Sequence, residues 1–234
     1  MLRVFTALTL CPSEIRKILR FLRKYGVKNT PLSNILVTPL FIQQDSLSII
    51  RKIKNERNSR VMLDSGGYYV QVGRMDYHEL YYPLLKFYKE NRWADIYTLP
   101  DHVPTSQDNS EEIWAKVKDT VRYTKLFFQE LPPELQEKAM PVVQGHTLEQ
   151  IDYCLKHYLS LGINYLGFGS FGTIGKNSQV NIATNSAVDL AKYVVNVTKE
   201  NEIQVHLFGL GAPALVAMIK GIGASSFDSS SWIK

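Results

Sequence analysis

The sequence has little cysteine and no long apolar stretch, and both absences narrow the classes of protein it can represent. Cys11 and Cys154 are the only cysteines in 234 residues, too few for a disulfide framework or a cysteine-rich structural zinc site. No run of about eighteen apolar residues occurs, and the N-terminal apolar stretch lacks a small-residue cleavage site. We therefore expect a cytoplasmic protein with reduced thiols, no membrane span and no membrane partner.

Linkers, internal repeats and low-complexity tracts are also missing from the sequence. With 45% hydrophobic and 21% charged residues, a chain of this length can bury a substantial core. These features predict a single domain over residues 1–234.

Positive charge is concentrated in the first quarter of the chain. Residues 1–60 hold 12 Lys and Arg against 3 Asp and Glu, whereas the remaining 174 residues hold 15 against 19. Arg16, Arg20, Arg23 and Lys24 fall on one stripe of a predicted helix. A concentrated basic face attracts a polyphosphate backbone, so we predict that this stripe contacts nucleic acid; a plain solvated helix face is the alternative.

Short apolar runs alternate with longer amphipathic segments along the whole chain. The runs that read as strands cover residues 3–10, 34–42, 60–64, 94–100, 139–144, 164–169, 204–209 and 224–228. The segments between them read as seven helices over residues 12–26, 45–56, 76–92, 109–131, 147–162, 185–202 and 212–223. Ser13 and Thr147 are the expected N-caps of the first and fifth helices.

Eight βα units of this kind predict the α/β class, most simply a minimal (β/α)8 TIM barrel with a parallel sheet. A doubly wound open sheet is the alternative. The eighth predicted strand ends six residues before Lys234, so we expect the last covering helix to be absent. A homodimer, a partner subunit or the N-terminal segment would then cover the gap, unless the strand count is off by one.

Acidic residues follow three of the predicted strands. Asp64 closes the third strand, Asp101 follows the fourth and Asp228 closes the eighth. Because the carboxyl ends of parallel strands meet at one face of a barrel, we expect these three carboxylates to converge there. Neighbouring glycines would let backbone N–H groups reach a ligand.

Five motifs at the strand ends resemble one family. They read DSGGYY (64–69), VVQG (142–145), YLGFGS (165–170), HLFGLGAP (206–213) and FDSSSW (227–232). In this order and spacing, the chain from about residue 34 onward resembles the barrel of tRNA-guanine transglycosylases and of their DNA-acting relatives, the DNA 7-deazaguanine transglycosylases.

The resemblance implies a base exchange that never cuts the strand. By similarity, Asp228 is the nucleophile that attacks C1′ of the nucleotide and stores the sugar as a covalent ester. Asp64 is then the general acid and base that moves a proton to and from the exchanging bases. Two neighbouring carboxylates should have pKa values that are pushed apart, which suits these two roles.

The resemblance also implies a set of base-binding residues. Asp101 would accept from the N1–H and amine edge of a guanine-type ring, while Gln144 and the Gly169 amide would donate to its carbonyl. Tyr68 and Phe208 would stack on the two faces of the flipped base, with Gly209 beside them.

Departures from the family pattern favour DNA as the substrate and leave tRNA as the alternative. No cysteine cluster follows the predicted nucleophile strand, no appended RNA-binding domain is recognisable, and Tyr69 stands where a glutamine usually follows the aromatic residue. The expected second substrate is a free 7-deazaguanine base such as preQ0. We expect neither a cofactor nor a metal ion.

Three other readings of the sequence remain open. His102, His146 and His206 lie near the predicted carboxylates, as a metal-dependent barrel hydrolase would require. Gly209 and Gly211 could bind the phosphate of a sugar phosphate. A catalytically silent nucleic-acid-binding subunit is the third reading.

Overall fold

The protein is an α/β barrel in a computed structural model that describes residues 2–27, 31–105, 107–169, 185–210 and 215–229. The strands in these ranges are β1 (Arg3–Ala7), β2 (Asn34–Val37), β3 (Arg60–Leu63), β4 (Ile96–Thr98), β5 (Ala139–Met140), β6 (Val142–Val143), β7 (Tyr165–Phe168), β8 (Gln204–Leu207) and β9 (Ser226–Ser229). All belong to one sheet, and every pairing is parallel. The predicted TIM-like barrel is confirmed.

Helices cover the outside of the sheet. Those in the described ranges are α1 (Pro12–Lys24), α2 (Gln44–Arg57), α3 (Gly67–Gln71), α4 (Tyr77–Glu90), α5 (Ser110–Glu130), α6 (Pro133–Gln136), α7 (Leu148–Tyr158), α8 (Asn185–Lys199) and α9 (Val216–Ile222). Two short 3-10 turns occupy Pro39–Phe41 and Leu159–Leu161. No helix in the described part of the chain is long and apolar enough to cross a membrane.

The barrel is nearly closed, and the strand pairing is interrupted at Pro141. The strand order is β5-β4-β3-β2-β1-β9-β8-β7-β6, so β5 and β6 lie at the two ends of the order and are consecutive in the chain. Pro141 separates them because it has no N–H to give to a ladder, although its carbonyl accepts from Gly167 N at 2.8 Å. The predicted strand over 139–144 is therefore two strands, which corrects the count from eight to nine among the described residues.

Side chains alternate between the inside of the barrel and its helical cover. Phe5, Leu36, Met62, Ile96 and Met140 each come from a different strand and form one cluster. Their chain neighbours pack with helix residues in two larger outer clusters. The five-residue cluster is therefore the barrel interior, as the two-residue period of a strand requires.

One of the two predicted N-caps is confirmed. Thr147 Oγ1 accepts from the amide of Gln150, so the predicted cap of α7 is confirmed. The predicted Ser13 cap is wrong, because α1 begins at Pro12 with Cys11 as its cap residue. Proline suits the first helical position since no N–H is needed there. The expected absence of a helix after the last strand concerns residues 230–234, which lie outside the described residues.

Truncating the barrel interior should destabilise the protein far more than truncating the surface. Phe5 is 1% exposed and Phe21 is 58% exposed. We expect Phe5→Ala to lower the free energy of unfolding by about 3–5 kcal/mol and Phe21→Ala to change it by less than about 0.5 kcal/mol. Urea denaturation of both variants measures the difference, and equal losses would contradict the assignment of Phe5 to the interior.

Candidate active site

Asp64 lies at the carboxyl end of β3, at the barrel mouth. Its amide donates to Val37 O (2.9 Å), which continues the β2–β3 ladder by one residue. Its carboxylate accepts a hydrogen bond from Thr38 Oγ1 at 3.1 Å, and Thr38 N in turn donates to Thr9 Oγ1 at 3.0 Å. Residues at the ends of three adjacent strands thus fix the position of Asp64.

Asp101 is buried beside Asp64 and is held by two side chains. Ser65 Oγ donates to its Oδ1 at 2.8 Å, and Gln144 Nε2 donates to its Oδ2 at 2.7 Å. Burial raises the pKa of Asp101, whereas these two hydrogen bonds act in the opposite direction. Gln144 is itself fully buried. Its side-chain amide therefore orients Asp101, a role that the sequence did not predict.

The two consecutive glycines after Asp64 have separate structural reasons. Gly66 has φ +95°, a left-handed conformation that lets the chain turn into α3. Gly67 lies against Asp101, and a Cβ at Gly67 would come within 2.8 Å of Asp101 Oδ1. A turn requires the first glycine, and the close approach to a buried carboxylate requires the second.

Asp228 lies in β9 with its side chain facing the same cluster. Its Oδ1 accepts from the Gly209 amide at 2.8 Å, and His206 Nε2 lies 3.6 Å from the same oxygen. Asp228 is partly exposed, with 17% of its side chain accessible. A carboxylate that is anchored through one oxygen and accessible to solvent can present its other oxygen to a ligand.

The three carboxylates converge as the strand ends indicated. The pKa of Asp64 is raised to about 7, first by burial and then by the charges of Asp101 and Asp228. An aspartate with a pKa near neutrality can both donate and accept a proton under physiological conditions. The mouth of the barrel therefore holds a carboxyl group suited to proton transfer next to a partly exposed carboxylate.

The two predicted stacking residues differ in exposure. Tyr68, on α3, is 48% exposed, whereas Phe208 is partly buried and contacts the His206 ring edge-on at 4.5 Å. Tyr69, which replaces the usual glutamine, stacks on Phe41 at 4.0 Å. Of the two predicted stacking residues, Tyr68 is therefore the more accessible to a ligand, and Tyr69 supports the turn that carries it.

Gly169 and Gly209, two predicted base-binding residues, donate their backbone amides to partners within the protein. Gly169 N donates to Val143 O at 3.2 Å, because Gly169 follows β7 and extends its ladder with β6. Gly209 N donates to Asp228. The Gly169 amide, which was predicted to donate to the base, therefore donates within the sheet, and the base-binding role of Gly209 stays a prediction. In this structure the Gly169 amide stabilises the sheet, and the Gly209 amide stabilises the Asp228 carboxylate.

The predicted basic stripe lies on α1, outside the barrel. Arg16, Arg20, Arg23 and Lys24 are all exposed, and none makes an ion pair with an acid among the described residues. Helix α1 starts at the same end of the barrel as the carboxylates and runs away from them for about 20 Å. Arg16 is thus nearest the mouth and Lys24 is farthest from it.

Exposed aromatic rings accompany the stripe. Phe21 and Tyr25 are 58% and 60% exposed, and their ring centroids lie 4.6 Å apart. Lys24 Nζ lies 5.3 Å from the Tyr25 ring centroid. The end of α1 that is far from the mouth therefore carries both charge and stacking surface.

The predicted histidines do not form a metal site. Among the described residues, no group of three or more His, Cys, Asp or Glu could hold a metal ion. His102 stacks on Tyr77 at 4.5 Å, and burial lowers the pKa of its imidazole to about 4. The hydrolase reading thus lacks a ligand set in the part of the chain that the structure describes.

A cavity of about 640 Å³ lies beside the carboxylates. It opens between the turn after α3 and the segment after Asp101, and its lining includes Arg74, His102 and Lys116. None of the three carboxylates lines it. The chemistry of the carboxylate cluster, and not this cavity, therefore defines the candidate site.

The sequence did not predict that Thr38 and Ser65 hold the carboxylates, and it predicted a base-binding role for Gln144 and Gly209 instead. Thr38 lies inside the predicted strand 34–42, whereas β2 ends at Val37, so the rule for strand ends did not single it out. The contacts of Ser65, Gln144 and Gly209 join distant parts of the chain, so no local pattern marks them.

Comparison of the chain with models of known protein families and with curated proteins finds no match in either case. The family resemblance of the five motifs therefore remains a hypothesis that rests on their residues.

The raised pKa of Asp64 predicts a pH-dependent effect of Asp64→Asn. Between the ordinary value of 3.8 and about 7, the folded protein binds more protons than the unfolded chain, so this carboxyl lowers stability as pH rises. An asparagine does not titrate. The unfolding free energy of Asp64→Asn relative to wild type should therefore rise by about 2–5 kcal/mol between about pH 4 and about pH 8.

Urea titrations at several pH values measure this difference. Asp189→Asn is the matched control, because Asp189 is a surface aspartate with 74% of its side chain exposed. A pH-independent difference for Asp64→Asn would show that the folded protein does not raise the pKa of Asp64.

Proposed function

We propose that the protein is a transglycosylase that replaces guanine in a nucleic acid with a free 7-deazaguanine such as preQ0. The observation that carries this proposal is the carboxylate cluster, in which Asp64 has a pKa of about 7 beside Asp228. A base exchange that keeps the strand intact needs one carboxylate for covalent catalysis and one carboxyl group for proton transfer. The five motifs at the strand ends support the same activity.

In the first half-reaction, an oxygen of Asp228 attacks C1′ and the bond from C1′ to the base nitrogen breaks. The electron pair moves to the departing guanine, which takes a proton from Asp64. The sugar is then an ester of Asp228, and Asp64 is ionised. Gly209 N–H, 2.8 Å from Asp228 Oδ1, fixes the nucleophile during the attack.

In the second half-reaction, the incoming base gives its ring N–H proton to Asp64 and attacks C1′. The ester bond breaks and its electron pair returns to Asp228. Asp64 ends protonated and Asp228 ends ionised, so the enzyme is regenerated without a cofactor. A pKa of about 7 suits Asp64 to both transfers, since neither protonation state is strongly favoured near neutral pH.

Asp101 is the group proposed to select a guanine-type base. Ser65 and Gln144 occupy one position on each of its oxygens, and a carboxylate oxygen can accept more than one hydrogen bond. The N1–H and amine edge of guanine presents two adjacent donors, which matches a carboxylate that is fixed in orientation. Tyr68, with its exposed ring, would stack on the selected base.

DNA is the polymer to test first, and tRNA is the alternative. Tyr69, at the position where a glutamine usually follows the aromatic residue, separates this sequence from the tRNA enzymes. The exposed basic stripe on α1 suits any polyphosphate and does not distinguish the two.

Asp228→Asn should abolish base exchange. Purified wild-type protein is incubated with labelled guanine or labelled preQ0 and with double-stranded DNA or bulk tRNA, and label on the polymer is counted. We expect wild type to label one polymer and Asp228→Asn to lose at least about 10³-fold in rate. Asp189→Asn, a surface change of the same chemistry, should match wild type. Label in neither polymer, or wild-type turnover by Asp228→Asn, would contradict the proposal.

Charge reversal on α1 should weaken polymer binding. The double variant Arg20→Glu, Arg23→Glu should raise Kd and reduce the slope of log K against log salt by about 2, because each lost phosphate contact removes about one unit. The variant Lys156→Glu, Lys199→Glu makes the same charge change at exposed sites on α7 and α8. Equal effects of the two double variants would show that α1 is ordinary solvated surface.

A further inference from the structure

His206 is a buried titratable side chain that takes no part in the two proposed half-reactions. It lies in β8 between Val205 and Leu207, which both pack outward against the helices. Its own side chain points into the barrel, where it is 1% exposed and meets the edges of Phe5 at 5.5 Å and Phe208 at 4.5 Å. An apolar residue would fit this aromatic pocket without bringing in two polar nitrogens.

The two nitrogens of the His206 ring have different surroundings. Nδ1 lies 2.9 Å from Ser226 Oγ, on the neighbouring strand β9. Nε2 has no hydrogen-bond partner among the described residues, and the nearby acceptor is Asp228 Oδ1 at 3.6 Å. Ser226 and Asp228 are two residues apart in β9, so both face the interior and the imidazole lies between them.

We propose that His206 is a positioning residue that orients the Asp228 carboxylate for attack; this inference rests on the proposed function. In the proposed tautomer the Ser226 hydroxyl donates to Nδ1, so the ring proton is on Nε2 and faces Asp228 Oδ1 at 3.6 Å. The Gly209 amide donates a hydrogen bond to the same oxygen. This hydrogen bond and the nearby Nε2–H group both favour negative charge on Oδ1, so that Oδ2 faces the ligand.

The same arrangement serves both half-reactions. When Oδ2 forms the ester, Oδ1 becomes its carbonyl oxygen and keeps the Gly209 hydrogen bond and the nearby Nε2–H group. When the incoming base displaces the ester, the negative charge that returns to Asp228 develops next to the Nε2–H and N–H groups, which stabilise it. His206 gains and loses no proton in either step, so the proton balance remains with Asp64.

The test compares two substitutions of His206, one that keeps a hydrogen-bond donor near Asp228 and one that removes it. His206→Gln places an N–H close to the position of Nε2, whereas His206→Met fills the pocket without a donor. We expect His206→Met to lower kcat about 10²-fold with the KM values for base and polymer changed less than about twofold. His206→Gln should retain kcat within about tenfold of wild type. A purely structural role would change thermal stability in both variants and leave kcat of the folded fraction unchanged.

A third variant keeps the proposal testable if His206→Met does not fold. Ser226→Ala retains the imidazole and removes the group that fixes its tautomer, so kcat should fall while KM stays the same. Wild-type kcat in Ser226→Ala and in a folded His206→Met would overturn the proposal.

A measurement without substrate separates this proposal from the proposed function. In protein labelled with ¹⁵N-histidine, we expect one imidazole that carries its proton on Nε2, disappears in His206→Gln and shifts in Asp228→Asn. If no polymer is labelled but this signal is present, the transglycosylase activity fails and the contact between His206 and Asp228 stands. If the His206 proton is on Nδ1, or if Asp228→Asn leaves the signal unchanged, the positioning role is overturned.

Discussion

Burial of carboxylates close together at the barrel mouth is the constraint on which the site depends. Burial is the main cause of the raised pKa of Asp64, because a carboxylate loses hydration when the barrel closes around it. The charges of Asp101 and Asp228, which come from other strand ends, raise this pKa further. Such a cluster lowers stability unless one member takes up a proton, and Asp64 does so near neutral pH. The same electrostatic destabilisation, by raising the pKa of Asp64, provides the site with a proton donor.

Neighbouring side chains divide the three carboxylates into distinct environments. Ser65 and Gln144 hold Asp101 in the buried interior, whereas the Gly209 amide holds Asp228 near solvent. Among the described residues, Asp64 accepts one side-chain hydrogen bond, from Thr38. These different environments suit the three chemically identical groups to the proposed roles in base recognition, nucleophilic attack and proton transfer. The barrel makes this possible by bringing the ends of separate strands to one face.

Most of the fold could be predicted from the sequence because the barrel depends on local patterns. Apolar runs, amphipathic segments and cap residues each extend over fewer than about twenty-five residues. Three exceptions were also local: Pro141 splits one strand, Pro12 moves the start of α1 ahead of Ser13, and a 3-10 turn over Pro39–Phe41 shortens the predicted strand 34–42. The convergence of the carboxylates followed from the parallel sheet, since all strand ends of one kind must meet.

The contacts inside the site could not be predicted in the same way. The bond from Gln144 to Asp101 spans 43 residues and the bond from Gly209 to Asp228 spans 19, so no local pattern marks either pair. Gly169 was expected to face the base, but the sheet register uses its amide. His206 was considered from the sequence only as a possible metal ligand, and its place beside Ser226 and Asp228 follows from the pairing of β8 with β9. These features depend on barrel register, which the sequence encodes only through the whole fold.

The most direct test of a covalent mechanism is to locate the ester. Protein is incubated with a labelled polymer without the incoming base, denatured, digested with nuclease and trypsin, and examined by peptide mass spectrometry. The tryptic peptide over residues 221–234 contains a single acidic side chain, Asp228. We expect a nucleotide-derived mass on this peptide in wild type and none in Asp228→Asn. An adduct on a different peptide, or base exchange with no adduct at any time point, would contradict Asp228 as the nucleophile.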